Sequence, residues 1–323
     1  MILTSKSEML ILSGLPGSGK SVYARDWVNE DPDARLRFNY DDARVARYGP
    51  DWVWNRKEEN EMQAAVKADV ITALKAGLSV CIDNTNLSGK VRERWAALGK
   101  SLGAEVIEQE IDTPLDECIR RDRNRKDRAG GRVGRGVIER MALFGGFMDF
   151  AASKRPIAIF DIDGTLANCD HRAHYVRRGH TPNCTNKQET IWQYGKCLCG
   201  AIEGQRKDWK AFYTAAPQDE PIKPIIELAK LLAMTHEIIL LSGRDTSDGI
   251  MTEEWLEPHL DGIYSHLFLR QAGDYRKDYE HKLEILSYIP RKRIDLIFED
   301  RDQCVKAFRE KGFRTLQVAE GAF

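Results

Sequence analysis

The segment Gly14-Leu15-Pro16-Gly17-Ser18-Gly19-Lys20-Ser21 follows an apolar run at residues 9–12 and opens a helix-like stretch at residues 20–28. A glycine-rich turn that joins a buried strand to a helix and ends in Gly-Lys-Ser places the chain around it in a parallel sheet covered by helices. The glycines let the backbone curl until its N–H groups converge at the helix N-terminus, where they hold an anion.

The alternation continues on both sides of mid-chain. Residues 58–76 have helical spacing and residues 78–82 form a buried-strand run, the pattern of strand, helix and strand in a parallel sheet. At 323 residues the chain exceeds what one hydrophobic core usually supports. Pro156 and a fresh apolar run at residues 157–160 mark the start of a second domain. There the pattern repeats, with a helical stretch at 224–234 and strand runs at 237–241 and 293–298. The expected fold is therefore α/β in two domains, residues 1–152 and 153–323, each a mainly parallel sheet covered by helices. Residues 167–221 break the pattern and read as a cap or insertion.

In the first domain Gly14, Gly17, Ser18 and Gly19 cradle nucleotide phosphates, Lys20 supplies a point charge at the β/γ-phosphates, and Ser21 can ligate magnesium. Carboxylates near the next strand ends must serve the acceptor. Asp41 and Asp42 stand close together with Arg44 just beyond them; they read either as a general base with an acceptor-orienting arginine or as a helix N-cap pair. Asn84, Thr85 and Asn86, after Asp83, follow a buried strand and read either as ligand-facing groups or as loop chemistry. The formal net charge is -1, but residues 120–140 are rich in arginine. If this stretch is helical, Arg121 and Arg125 share a face and can clamp ATP phosphates; the alternative is a solvated helix face.

The second domain opens on Asp161-Ile162-Asp163-Gly164-Thr165 at the end of its first strand, which resembles the signature of haloacid dehalogenase-like phosphatases. Its chemistry needs a carboxylate nucleophile, Asp161, and a second carboxyl, Asp163, to protonate the leaving oxygen. Two carboxylates repel a phosphate, so magnesium is required. Ser242, Lys277 and Glu299-Asp300 follow in the order of that family's pattern. The resemblance implies that Ser242 and Lys277 hold the transferring phosphate, that Arg244 contacts substrate, and that Asp161, the carbonyl of Asp163 and Asp300 hold magnesium.

Together the halves resemble the bacteriophage-type polynucleotide 5'-kinase/3'-phosphatases, over nearly the whole chain. The resemblance implies that Asp41 is the general base, Arg44 and Asn84-Thr85-Asn86 meet the acceptor, and Arg121 and Arg125 meet ATP. The terminal segment 317–323 is also similar. Glu299 stands where the family more often has Asp, and residues 168–206 form a longer segment than expected. The implied substrates are DNA or RNA ends, with ATP and magnesium as cofactors and a separate ligase as partner. Kinase and phosphatase action on small nucleosides or sugar phosphates, and a nucleotide-gated binding module, are the competing readings.

His180, Cys184, Cys197 and Cys199 suit tetrahedral zinc, though not at a familiar spacing, and otherwise read as free thiols with a solvated histidine. Seven cysteines, an odd number in a large chain, argue for reduced thiols. No apolar run reaches the roughly 20 residues of a membrane span, and residues 1–6 lack a secretory pattern, so a cytoplasmic location is expected. Homo-oligomerisation stays open.

Overall fold

The structure, a computed structural model, describes residues 6–50, 52, 55–125, 131–176 and 208–321. The chain divides into two compact units, Met1–Met148 and Asp149–Phe323.

The first unit runs β1 (Glu8–Ser13), α1 (Lys20–Asn29), β2 (Arg35–Phe38), α2 (Tyr40–Tyr48), α3 (Arg56–Lys75), β3 (Ser79–Ile82), α4 (Gly89–Ser101), β4 (Glu105–Glu110), α5 (Leu115–Arg123) and α6 (Arg135–Gly145). Among the described residues its strands form one parallel sheet in the order β2-β3-β1-β4. Because β1 is covered on both faces, it is apolar at successive positions rather than alternate ones. Met9 and Ile11 pack with Met62, Val66 and Val70 of α3, while Leu10 and Leu12 pack with Ala24 of α1. At roughly 1.5–3 kcal/mol for each fully buried Leu, Ile or Met, burial rather than strand propensity fixes β1 at the centre.

The edge strands were not legible. β4 carries glutamate at three of its six positions and is mostly exposed, so no apolar run betrays it. The arginine-rich stretch is also not one helix. α5 ends at Arg123, and the Asp122 carboxylate accepts from the N–H groups of Val133 and Gly134 at the start of α6.

The second unit runs β5 (Ile157–Phe160), β6 (Ala167–Asn168), α7 (Trp209–Thr214), β7 (Glu220–Pro221), α8 (Lys223–Leu232), β8 (Glu237–Asp245), α9 (Gly249–Leu260), β9 (Tyr264–Arg270), α10 (Asp278–Tyr288), β10 (Ile294–Arg301), α11 (Asp302–Glu310) and β11 (Thr315–Gly321). Among the described residues five strands form a parallel sheet in the order β11-β10-β5-β8-β9. All four residues of β5 are buried, and Phe160 stacks on Phe298 with ring centroids 4.3 Å apart. A two-stranded antiparallel ladder, β6 with β7, stands where the chain leaves β5 and returns toward α8. A short 3₁₀ turn at Asp170–Tyr175 and α7 lie between them. No helix among the described residues is long and apolar enough to cross a membrane. His180, Cys184, Cys197 and Cys199, the zinc expectation, lie outside the described residues.

Candidate active sites

In the first unit the turn after β1 is shaped by what a side chain would strike. A Cβ on Gly17, at φ 85°, would stand 2.5 Å from the carbonyl oxygen of Cys118, and one on Gly14 would stand 2.8 Å from that of Ile111. Gly19, at φ 103°, caps α1 without a side-chain acceptor, so the first N–H groups of the helix are left for an anion. Lys20 is buried and its ammonium donates to the Leu15 carbonyl at 2.7 Å and to Ser18 Oγ at 3.4 Å. Ser21 follows in the first turn. Arg121 lies across the same loop, donating to the carbonyls of Ser18 (3.2 Å) and Gly17 (3.4 Å) and to Glu117 (2.6 Å). Arg125 lies beyond the end of α5 with Asp122 at 3.5 Å, so the shared helix face expected for Arg121 and Arg125 does not form.

Because β2 and β3 are neighbours, the chain ends that follow them meet at one sheet edge. The N-cap of α2 is Asn39, whose Oδ1 accepts from the N–H of Asp42, so the N-cap reading of Asp41-Asp42 is set aside. Asp41 accepts from Arg44 at 2.5 Å, and Arg44 is gripped from the other side by Glu59 through two bonds of 2.7 and 2.8 Å. Hydrogen bonding from Arg44 holds the Glu59 carboxyl below its ordinary range against its own burial. Asp83 is fully buried and paired with Arg37, yet its Oδ1 has no hydrogen-bond partner.

Asn84, Thr85 and Asn86 are largely bonded within the fold. The Asn86 amide donates to the carbonyls of Leu12 (2.7 Å) and Ile82 (3.3 Å), at the carboxyl ends of β1 and β3. The Thr85 carbonyl accepts from Gly14 N–H, and Asn84 Oδ1 accepts from Tyr40 N–H; only Asn84 Nδ2 is buried without a partner. Thr85 and Asn86 thus tie the loop after β1 to the end of β3, and Asn84 ties the same segment to α2.

In the second unit Asp161 leaves β5 at the sheet edge, and Lys282 of α10 donates to it at 2.8 Å. The same ammonium reaches Glu299 at 2.7 Å and Asp278 at 3.2 Å. Lys277, expected to hold phosphate, does not reach the centre. It is the exposed N-cap of α10, with its Nζ 5.8 Å from the Tyr279 ring. Lys282 lies on the inward face of the helix one turn past Asp278, and the i, i+4 spacing of Asp278 and Lys282 was the signal available in the sequence.

Asp163 is gripped by two guanidiniums, Arg244 and Arg172, each at 2.6 Å. Both also meet the buried carboxylate of Asp219, Arg172 at 2.5 Å and Arg244 at 2.9 Å. Burial alone would raise Asp163, but the two guanidiniums outweigh it and hold its carboxyl well below the carboxylate range. Ser242 is fully buried and its Oγ accepts from Arg244 N–H at 3.2 Å. Arg172 and Asp219 come from the segment that broke the sequence pattern, and nothing in their spacing announced them.

The carboxylates of Asp161, Glu299 and Asp300 converge, with one oxygen from each within 4.8 Å of the others. Burial and mutual repulsion push Asp161 up to about 8, and Glu299 and Asp300 up to about 7, despite Lys282. Asp300 Oδ1 is buried without a donor, and a Cβ on Gly164 would stand 2.2 Å from Asp300 Oδ2. Three carboxylates, one ammonium and an orphaned oxygen fit a divalent cation, which would supply the missing positive charge.

A stability test follows. A carboxyl whose pKa is higher in the folded than the unfolded chain binds a proton only in the fold between those two values, so its contribution falls as pH rises. Unfolded Asp and Glu titrate near about 4. The metal-free second unit is therefore expected to melt at progressively lower temperature as pH rises from about 5 to about 8. Magnesium should raise the melting temperature more at the upper end than at the lower, read by calorimetry with and without chelator. A flat metal-free profile would contradict the repulsion.

Residues 200–323 match the family model described as the phosphatase domain of polynucleotide kinase PNKP, and residues 9–144 match that of an AAA domain. The second half is thus similar to a polynucleotide-kinase phosphatase domain and the first half to an AAA domain. The chain is 24% identical over 325 residues to a putative bifunctional polynucleotide kinase/RNA ligase of Autographa californica nuclear polyhedrosis virus, a match that takes in 95% of this chain. The chain spans only 42% of that relative's length. Among solved structures, it is 25% identical to a chain of the Pnkp1/Rnl/Hen1 RNA repair complex, covering 98% of this chain and 97% of that one at a TM-score of 0.36. A haloacid dehalogenase-like hydrolase, SP0104 from Streptococcus pneumoniae, is 17% identical, with 52% and 88% coverage and a TM-score of 0.35. Kinases and phosphatases of these kinds use ATP and magnesium.

Proposed function

We propose that this chain heals broken nucleic-acid ends, placing the γ-phosphate of ATP on a 5'-hydroxyl and removing a 3'-phosphate. The observation that carries the reading is the second centre: a buried Asp161 beside Lys282 and a three-carboxylate nest, in a domain of polynucleotide-kinase type. A first unit with its own phosphate loop then supplies the opposite reaction in the same chain.

In the kinase half the loop and Lys20 hold the β/γ-phosphates, and Arg121 above the loop offers a second cation. Ser21 and Asp83 Oδ1 are the groups that would hold magnesium, which neutralises phosphate charge when bound. Asp41 takes the proton of the attacking 5'-hydroxyl, and Arg44, fixed by Glu59, orients the acceptor.

In the phosphatase half an Asp161 oxygen attacks phosphorus as the bond to the 3'-oxygen breaks, giving an aspartyl phosphate. Lys282 offsets the charge of Asp161 and of the incoming phosphoryl group. Asp161, Asp300 and the Asp163 carbonyl would hold magnesium, with Glu299 beside them. Asp163 passes a proton to the leaving 3'-oxygen and recovers one from the water that releases inorganic phosphate. Since Arg172 and Arg244 keep Asp163 ionised beforehand, its proton arrives with a substrate whose phosphate draws those guanidiniums away. A ligase that joins the healed ends is the natural partner, and the viral relative carries the name of both activities.

The test is incubation with ATP, magnesium and a 5'-hydroxyl, 3'-phosphate oligonucleotide, as RNA and DNA, single- and double-stranded. Label should appear at the 5' end and phosphate should leave the 3' end. Faster turnover of free nucleosides and sugar phosphates than of any oligonucleotide would replace polymer ends by small-molecule substrates.

A further inference from the structure

Between β9 and α10 the chain passes through Gln271, Gly273 and Tyr275 to the N-cap Lys277. Tyr275 is 94% exposed, and none of the large apolar or aromatic side chains among the described residues is more so. Exposure of this kind usually accompanies a loose loop; here the backbone is pinned on both sides of the ring. The carbonyls of Asp274 and Arg276 both accept from Arg270 Nη1, at 3.3 and 2.6 Å. The same guanidinium donates to Asp278 at 2.7 Å, and Asp278 in turn faces Lys282 at 3.2 Å. Arg276 adds three bonds to the Asp274 carboxylate, and Ala272 N–H donates to Thr246 Oγ1. An aromatic ring without a contact is thus carried on a fixed platform whose anchor also holds the phosphatase centre.

The charge beside it has the matching sign. Arg276 is neutralised by Asp274 and Glu284, but Lys277 is exposed and no ion pair among the described residues engages it. Tyr275 stands three positions before Asp278, so the two Cα atoms lie at most about 11 Å apart, the length of roughly three stacked nucleotides. Asp278 and Asp161 both face the Lys282 ammonium, at 3.2 and 2.8 Å, so a single strand with its terminal phosphate at Asp161 would have its last bases within reach of this ring.

We propose that Tyr275 and Lys277 form the nucleotide-binding rim of the phosphatase centre, Tyr275 stacking on a base near the 3' end and Lys277 meeting a backbone phosphate. The inference rests on the polynucleotide reading above and says how a polymer is told from a small phosphoester. Stacking tolerates any base, because every base has a π-face, so the rim would grip RNA and DNA alike.

The experiment compares the full chain with Tyr275→Ala, Tyr275→Phe and Lys277→Ala, in magnesium, on 3'-phosphate oligonucleotides of RNA and of DNA and on p-nitrophenyl phosphate. Tyr275→Ala should lower kcat/KM on both oligonucleotides about 5- to 150-fold through KM, leave p-nitrophenyl phosphate within about twofold, and be rescued by Tyr275→Phe. Abasic sites in the last three nucleotides should erase the difference between Tyr275→Ala and the parent. Lys277→Ala should lower oligonucleotide turnover and flatten its salt dependence. Equal turnover of oligonucleotide by Tyr275→Ala and the parent would overturn the proposal, as would a loss on p-nitrophenyl phosphate of the same size. A loss confined to RNA or to DNA would replace base stacking by a sugar contact. A parent chain that cleaves p-nitrophenyl phosphate but no oligonucleotide would instead sink the polynucleotide reading itself.

Discussion

Asp161→Asn should lose 3'-phosphate release by at least about 10⁴-fold while still labelling 5'-hydroxyl ends from ATP. Asparagine keeps the shape of the side chain but lacks the anionic oxygen that bonds to phosphorus. It also leaves Lys282 with Glu299 and Asp278 as partners, so the buried ammonium is not orphaned and the fold should survive. The accompanying pair is the sharper measurement. Lys282→Ala should cost phosphatase turnover about 10²- to 10³-fold by removing the ammonium that touches Asp161, whereas Lys277→Ala should leave turnover of p-nitrophenyl phosphate near that of the parent. Inverted results would restore Lys277 as the phosphate-holding lysine. Loss of kinase activity in folded Asp161→Asn would replace two sites by one composite site.

The kinase should fail in two distinguishable ways. Lys20→Ala removes the ammonium from the phosphate loop and should lower kcat/KM for ATP about 10²- to 10³-fold, roughly 3–4 kcal/mol of transition-state stabilisation. Asp41→Asn removes the proton acceptor and should lower kcat about 10²- to 10⁴-fold with KM for ATP little changed. The geometry makes the second variant clean, because Glu59 holds Arg44 through two bonds whether or not Asp41 is charged. Both variants should still release 3'-phosphate. Near-normal kcat in Asp41→Asn would move the base to Asp42 or Asp83.

These two tests rest on residues that were legible in different degrees. Gly14, Gly17, Gly19 and Gly164 could be read from the sequence because one demand on each is local, a positive φ. Asp161 and Lys20 were legible for the same reason, since each sits at a fixed offset from its turn. The central strands were legible because two-sided burial forces a continuous apolar run, while β4 and the other edge strands, half in water, carry no such mark.

What the sequence determined by itself was thus the two-unit α/β architecture and the glycine-rich and acidic turns that end its central strands. Only the tertiary structure decided which cation serves the acidic one. Lys277 and Lys282 differ by little in sequence, but α10 turns one to water and the other between Asp161 and Glu299, and that choice is made by the packing of the helix against the sheet. Arg172 and Asp219, from an unpatterned segment, become part of the centre only when the chain returns beside Arg244. The Asn86 amide bonds the carbonyls of Leu12 and Ile82 on two different strands, a pairing that no sequence pattern reveals. Local constraints are written in spacing, whereas the partner of a buried charge is set by which distant segments the core brings within hydrogen-bond reach, and desolvation makes that partner obligatory.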